Sequence, residues 1–132
     1  MKIEDIIRLA NQSLIIIDNN INETSLKILE NKGSNVDLKI YTWNYLGAPI
    51  RNIKRRKGFK NAQLNCYITK TFQDNYLILD EKRVYLMSLP IKRAGKRGFK
   101  VCRIYDYNLV KHILTQAKGC EYPASHRTKM LW

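Results

Sequence analysis

Few residues in this chain offer a starting point for chemistry. Its 132 residues hold two histidines, three cysteines and eleven carboxylates against 24 lysines and arginines, for a formal net charge of +13. His126 lies in Ser125-His126-Arg127-Thr128-Lys129, where no acid stands nearby to complete a triad. His112 falls beside Leu109 and Ile113 at helical spacing and reads as a packed helix histidine. Cys66, Cys102 and Cys120 are far apart with no CxxC pair, which gives neither a zinc signature nor a disulfide framework. They read as two strand-core thiols and one tail thiol. The carboxylates are too scattered for a metal nuclease site. No metal and no cofactor is expected, and the balance leans against an enzyme.

What the sequence does concentrate is positive charge. Residues 1–43 carry five basic and six acidic side chains, whereas residues 44–132 carry nineteen and five. Two runs dominate. Arg51, Lys54, Arg55, Arg56, Lys57 and Lys60 fall within ten residues, and Lys92, Arg93, Lys96, Arg97 and Lys100 within nine. One such run is ordinarily a solvated face. Two without compensating acids repel themselves, and a polyanion would relieve the repulsion. Nucleic acid, an acidic protein surface and simple solubility all remain open, with DNA or RNA favoured. Lys and Arg would neutralise phosphates, and Tyr45, Phe59 and Tyr67, if exposed, would stack on bases. Neutralising Arg55, Arg56 and Lys57 is then expected to flatten the salt dependence of binding.

The elements that must position these groups alternate between helix and strand. Ile3, Ile6, Ile7 and Ala10 predict an amphipathic helix over residues 3–12. Residues 13–18 form a continuous apolar run suited to a strand buried on both faces. Asn22 caps a second helix carrying Leu26 and Leu29, with Gly33 placed to end it. A strand follows over residues 36–43, and this βαβ pattern implies parallel pairing. Short strands are expected over residues 63–69, 76–79, 83–87 and 99–105, with a turn at Asp80-Glu81-Lys82 and a basic loop over residues 90–98. A helix over residues 108–116 closes the list. The reading is one α/β domain over residues 1–118, with a mixed, largely parallel sheet flanked by helices, and a C-terminal tail over residues 119–132. No apolar run approaches the roughly 20 residues of a membrane span. No signal peptide is visible, and the cysteine usage fits a cytoplasmic setting.

The stretch Thr71-Phe72-Gln73-Asp74-Asn75-Tyr76-Leu77-Ile78-Leu79-Asp80, followed by a turn and Val84-Tyr85, resembles the motif strand of the phospholipase D superfamily, HxKxxxxD. The likeness is to the small single-motif domains of bacterial and phage proteins, and it runs collinearly over roughly residues 3–116. In that family's enzymes the motif His attacks phosphorus, a second His protonates the leaving group and the Lys holds phosphate oxygens. Here the His position is Gln73 and the Lys position is Asn75. Asp80 matches, and the small residues after the motif fall at Ser88 and Pro90. An amide nitrogen has a delocalised lone pair and cannot take the covalent step.

The resemblance therefore implies a catalytically inactive domain whose Gln73, Asn75, Asp80 and Ser88 form a phosphate-binding remnant; ordinary strand-end polar residues are the other reading of Gln73 and Asn75. It also implies a homodimer, with Tyr76, Leu77, Tyr85 and Met87 near the seam, and loops carrying both basic runs beside the motif. Nucleic-acid binding is the favoured function. The alternatives are a phage or mobile-element interaction protein that blocks a host nuclease or defence complex in an anti-CRISPR-like way, and an active phosphodiesterase using other residues.

Overall fold

Leu14, Ile15, Ile16 and Ile17 are all buried, and their strand β1 (Ser13–Ile17) is the middle of the main sheet. The computed structural model describes residues 1–46, 53, 55, 56, 58–60, 62–121 and 128–130. Arg51, Lys54, Lys57 and His126 lie outside the described residues, as does the side chain of Tyr45. Among the described residues no helix is long and apolar enough to cross a membrane.

After β1 come β2 (Asn20–Asn22), β3 (Asp37–Thr42), β4 (Asn44–Leu46), β5 (Leu64–Thr69), β6 (Asn75–Leu79), β7 (Arg83–Met87), β8 (Val101–Ile104) and β9 (Thr128–Met130). The helices are α1 (Ile3–Arg8), α2 (Glu23–Leu29) and α3 (Tyr107–Gly119), with a 3-10 turn at Ile91–Arg93. The main sheet runs β8-β7-β6-β1-β3-β5-β9, and β2 and β4 pair separately. The class is mixed α/β, as expected; the small β2–β4 pair is parallel, but in the main sheet the parallel part is confined to β1–β3 and β3–β5. The other four pairings are antiparallel. The connections from β1 to β3 and from β3 to β5 are long enough to cross over, whereas a tight hairpin joins β6 to β7 and makes them antiparallel.

Alternation along the strands divides the core in two. Leu14, Ile16, Leu38, Ile40, Leu77 and Leu79 face α1 and α2, together with Ile53 and Phe59. Ile15, Ile17, Tyr41, Ile78 and Val84 face Ile113 and Ala117 of α3. The phase of α3 therefore runs through Val110, Ile113, Leu114 and Ala117, which leaves His112 exposed instead of packed. Cys120 is buried at the end of this helix and Cys102 is exposed on β8, the reverse of the expected assignment. Cys66 is buried as expected, and burial pushes its thiol up to about 12.

Local chemistry sets several boundaries. Asn22 accepts from the Ser25 N–H and the Ser25 hydroxyl accepts from the Asn22 N–H, each at 3.1 Å, a reciprocal cap that starts α2. That helix stops at Leu29, before Gly33, where the Asn31 side chain donates to the Ile28 carbonyl at 2.8 Å. Residues 128–130 of the expected tail return to the sheet as β9 on the edge of β5. Asp80 and Glu81 sit at φ of 56° and 57°, and the Lys82 N–H donates to the Leu79 carbonyl at 3.0 Å. Two successive left-handed residues make this a type I′-like hairpin turn without glycine.

A left-handed L-residue is disfavoured by roughly 1–2 kcal/mol. Glycine at the second position would give back about 0.5–1 kcal/mol through the unfolded chain. Glu81→Gly is thus expected to stabilise the fold by about 0.5 kcal/mol net, read as a raised urea midpoint. A lowered midpoint would show that the approach of Glu81 to Lys118, 3.7 Å on an exposed surface, outweighs the backbone relief.

Candidate nucleic-acid interface

The carboxyl ends of β1, β3 and β5 open on one edge of the sheet, where ligands of open α/β sheets gather. Antiparallel β6 begins at this edge and β7 ends there, because Tyr76 pairs with Ile17 and Asn75 with Met87. Gln73, Asn75 and Ser88 therefore share the edge with Asp18, Trp43 and Lys70. Asp80 does not. It closes the opposite end of β6, about 16 Å away at roughly 3.3 Å per residue.

Asp80 is a fastener between chain segments. Its carboxylate accepts from the N–H groups of Asn11 at 3.0 Å, Gln12 at 2.7 Å and Ser13 at 3.1 Å, and from Arg83 at 3.0 Å. Those N–H groups are no longer free to extend α1, which ends well short of residue 12. Burial alone would push this carboxyl up; the N–H groups of Gln12, Ser13 and Asn11, then Arg83, outweigh it and hold the group below the usual Asp value. Grouping Asp80 with Gln73 and Asn75 as phosphate ligands does not fit this placement.

Gln73 is exposed and Asn75 half-buried, and neither side chain makes a hydrogen bond among the described residues. Ser88 is committed elsewhere. Its hydroxyl donates to the Gly98 carbonyl at 2.9 Å and accepts from the Lys100 N–H at 2.7 Å, which closes the base of the basic loop. A second anchor is Asp18, fully buried at the end of β1. One oxygen accepts from the Ile91 N–H at 2.7 Å and the other from the Asn20 N–H at 2.9 Å. Burial raises its carboxyl above the usual value; the two N–H groups and the charge of Lys92 work against that rise. Asp18 thus ties the 3-10 turn to the sheet edge. The sequence signal for it was the acid ending an apolar strand.

The loop so anchored carries Lys92, half-buried, and Arg93, Lys96, Arg97 and Lys100, all exposed. None of the five pairs with a carboxylate among the described residues. The first basic run is built differently. Arg56 donates through Nε to Glu30 at 2.7 Å and through Nη1 to Glu23 at 2.5 Å, with only 17% of its side chain exposed. It is a strut on α2, where the sequence reading made it a phosphate ligand. The buried Lys32 ammonium donates to the Gly58 carbonyl at 2.6 Å, which draws the end of this run towards the start of β5, away from the motif edge. Arg55 and Lys60 are exposed. The described residues of the two runs therefore do not both border that edge.

The aromatic assignments change as well. Phe59 is 2% and Tyr67 8% exposed, so both belong to the cores and neither can stack on a base. Tyr67 stacks on Tyr41 at 5.1 Å between ring centroids. The exposed aromatic at the edge is Trp43, with the Lys70 ammonium 4.1 Å from its ring centroid. The expected dimer seam is not available in that form. Leu77 and Met87 are buried under α1 and α2, while Tyr76 and Tyr85 pack on opposite faces of the sheet. Among the described residues no three metal-ligating side chains gather.

No family model matches the chain, and no curated protein matches it. Among solved structures, NucT from Helicobacter pylori superposes with a TM-score of 0.61 and 14% identity over 88% of this chain and 82% of that one. TrmBL2, an archaeal chromatin protein whose structure shows a novel mode of DNA binding, gives a TM-score of 0.44 and 16% identity over 88% of this chain and 46% of that one, too distant to carry an argument. The first likeness bears on the fold alone: this chain has a phospholipase D-like α/β fold.

Proposed function

We propose that this chain is a non-catalytic phospholipase D-like module that binds nucleic acid at the carboxyl edge of its parallel strands. The observation that carries the reading is the anchored loop of Lys92, Arg93, Lys96, Arg97 and Lys100, whose charges have no carboxylate partner among the described residues. Asp18 and Ser88 hold this loop beside Gln73 and Asn75, whose amide N–H groups can donate to phosphate oxygens. A rigid base means less loop entropy is lost on binding a polyanion.

Inactivity is supported by chemistry at the motif. Neither Gln73 nor Asn75 can act as a phosphoryl nucleophile, and His112 stands exposed on α3, across the sheet from the face that Asn75 shares with Leu77 and Leu79. The test is incubation with labelled single- and double-stranded DNA, RNA and a simple phosphodiester, with and without divalent metal. The expected result is retarded mobility of the nucleic acids and no product above background. Turnover that co-purifies with the chain and vanishes in His112→Ala or His126→Ala would overturn the non-catalytic reading.

A second reading, an interaction protein with an acidic partner, is favoured by a different surface. Beside the edge strand β8, Tyr105 is 78% and Tyr107 74% exposed, with Arg103 held 4.7 Å over the Tyr105 ring. Exposed aromatics with Arg are the composition of interface anchors.

A further inference from the structure

Trp43 follows directly on β3, at the edge shared by Lys70 and Asn75, and 42% of its surface is exposed. It belongs to neither core, in contrast to Tyr41 and Tyr67 nearby in the sheet. Its one described ring partner is a cation: the Lys70 ammonium sits 4.1 Å from the ring centroid. That contact fixes the indole without burying it, because the ammonium is itself drawn to the ring's negative face. The result is a large, oriented aromatic on the same edge as five loop cations.

We infer that Trp43 is a stacking platform for an unpaired nucleobase, so that this edge takes single strands in preference to duplex. This rests on the nucleic-acid reading above and narrows it. In a duplex every base face is covered by its neighbours, and an indole has nothing to stack on. In a single strand a base can turn onto the indole while flanking phosphates reach Lys70 on one side and the loop on the other. Stacking of this kind tolerates any base, so no sequence preference follows from it. The 2′-hydroxyl is not addressed, and DNA and RNA single strands are expected to bind alike at this position.

The experiment uses the full chain carrying Trp132→Phe, which leaves Trp43 as the sole indole. Its emission is followed while a 20-nucleotide thymidine strand, an abasic strand of equal length and a 20-base-pair duplex are added, and binding is read in parallel from the anisotropy of a label on each. The thymidine strand is expected to quench Trp43 strongly, and the abasic strand to bind without quenching. Trp43→Ala should weaken the thymidine strand about tenfold, as the loss of one stacked base implies. The same change should weaken the abasic strand and the duplex less than twofold, and Trp43→Phe should restore most of the loss.

Thymidine-strand binding without quenching, and unaffected by Trp43→Ala, would overturn the platform while leaving nucleic-acid binding in place. An equal loss on all three ligands, with a lowered melting temperature, would make Trp43 structural and overturn it too. No binding of any of the three by the unsubstituted chain would overturn the nucleic-acid reading itself, and the platform with it.

Discussion

Replacing Arg93, Lys96 and Arg97 together with alanine should lower affinity for a single-stranded oligonucleotide about a hundredfold at 0.1 M salt. Each phosphate contact on a single strand adds about 0.7 to the log–log salt slope, so three lost contacts amount to roughly two decades at that concentration. The fold should be indifferent to the change, since all three side chains are exposed and none is ion-paired among the described residues. The turn itself is held by backbone bonds, from Arg93 to Pro90 and from Lys96 to Arg93, which alanine keeps. Anisotropy with and without the triple change checks this, and a loss under threefold would remove the loop from the interface. Arg56→Ala should behave in the opposite way. It leaves Glu23 and Glu30 facing each other without their shared cation, so it should lower stability and leave the salt slope alone. Neutralising Arg55, Arg56 and Lys57, the substitution that the sequence by itself recommends, would mix these two effects.

Asp80→Ala should destabilise the fold by about 3 kcal/mol, because it strips the acceptor from three backbone N–H groups and Arg83 at once. For a domain of this size that is a fall of about 10 °C in melting temperature. The pH dependence follows from the direction of the shift. The carboxyl is held below its unfolded value, so its stabilisation is fully present above about pH 4 and is lost as pH falls through the lower, folded value. Asp18, whose carboxyl is raised, contributes with the opposite sign, disfavouring the fold as pH rises through its own folded value. Melts at pH 7 and pH 3 should therefore differ less in Asp80→Asn than in the unsubstituted chain. A melting temperature unchanged at pH 7 in Asp80→Ala would contradict the fastening role. Oligonucleotide affinity of the folded Asp80 variant should be unaltered, since this residue lies at the far end of β6 from Asn75.

The parts of this fold that periodicity could reveal were those with regular patterns. The apolar run 14–17, the alternation through Leu38 and Ile40, the Asn22 cap and the hairpin around Asp80 each appear in the structure close to their expected positions. Pairs formed by three-residue strands were not legible, because β2, β4 and β9 are too short to show a period and gain their hydrogen bonds only from distant partners. Helix phase was misread by one position on α3, where Leu109 and Ile113 suit two different faces and burial selects the one through Val110. The two basic runs look alike as text. What separates them is tertiary: Glu23 and Glu30 reach Arg56 from α2 and its C-terminal end, and among the described residues no carboxylate forms an ion pair with the cations of the loop after β7. Phe59 and Trp43 differ for the same reason, since Phe59 is part of a core and Trp43 of neither, with the Lys70 ammonium over its ring.

The most direct test of the proposed interface is the affinity of the unsubstituted chain for a labelled 20-nucleotide single strand across a salt series from 50 to 300 mM, over which the Debye length falls from about 14 Å to about 6 Å. Four to six phosphate contacts from the loop and Lys70 predict a log–log slope between about −3 and −4, with a slope closer to −1 in the Arg93, Lys96 and Arg97 triple variant. Absence of binding at 50 mM salt, or an affinity that does not change with salt, would contradict the account and leave the exposed aromatic edge at β8 as the surface that meets a partner.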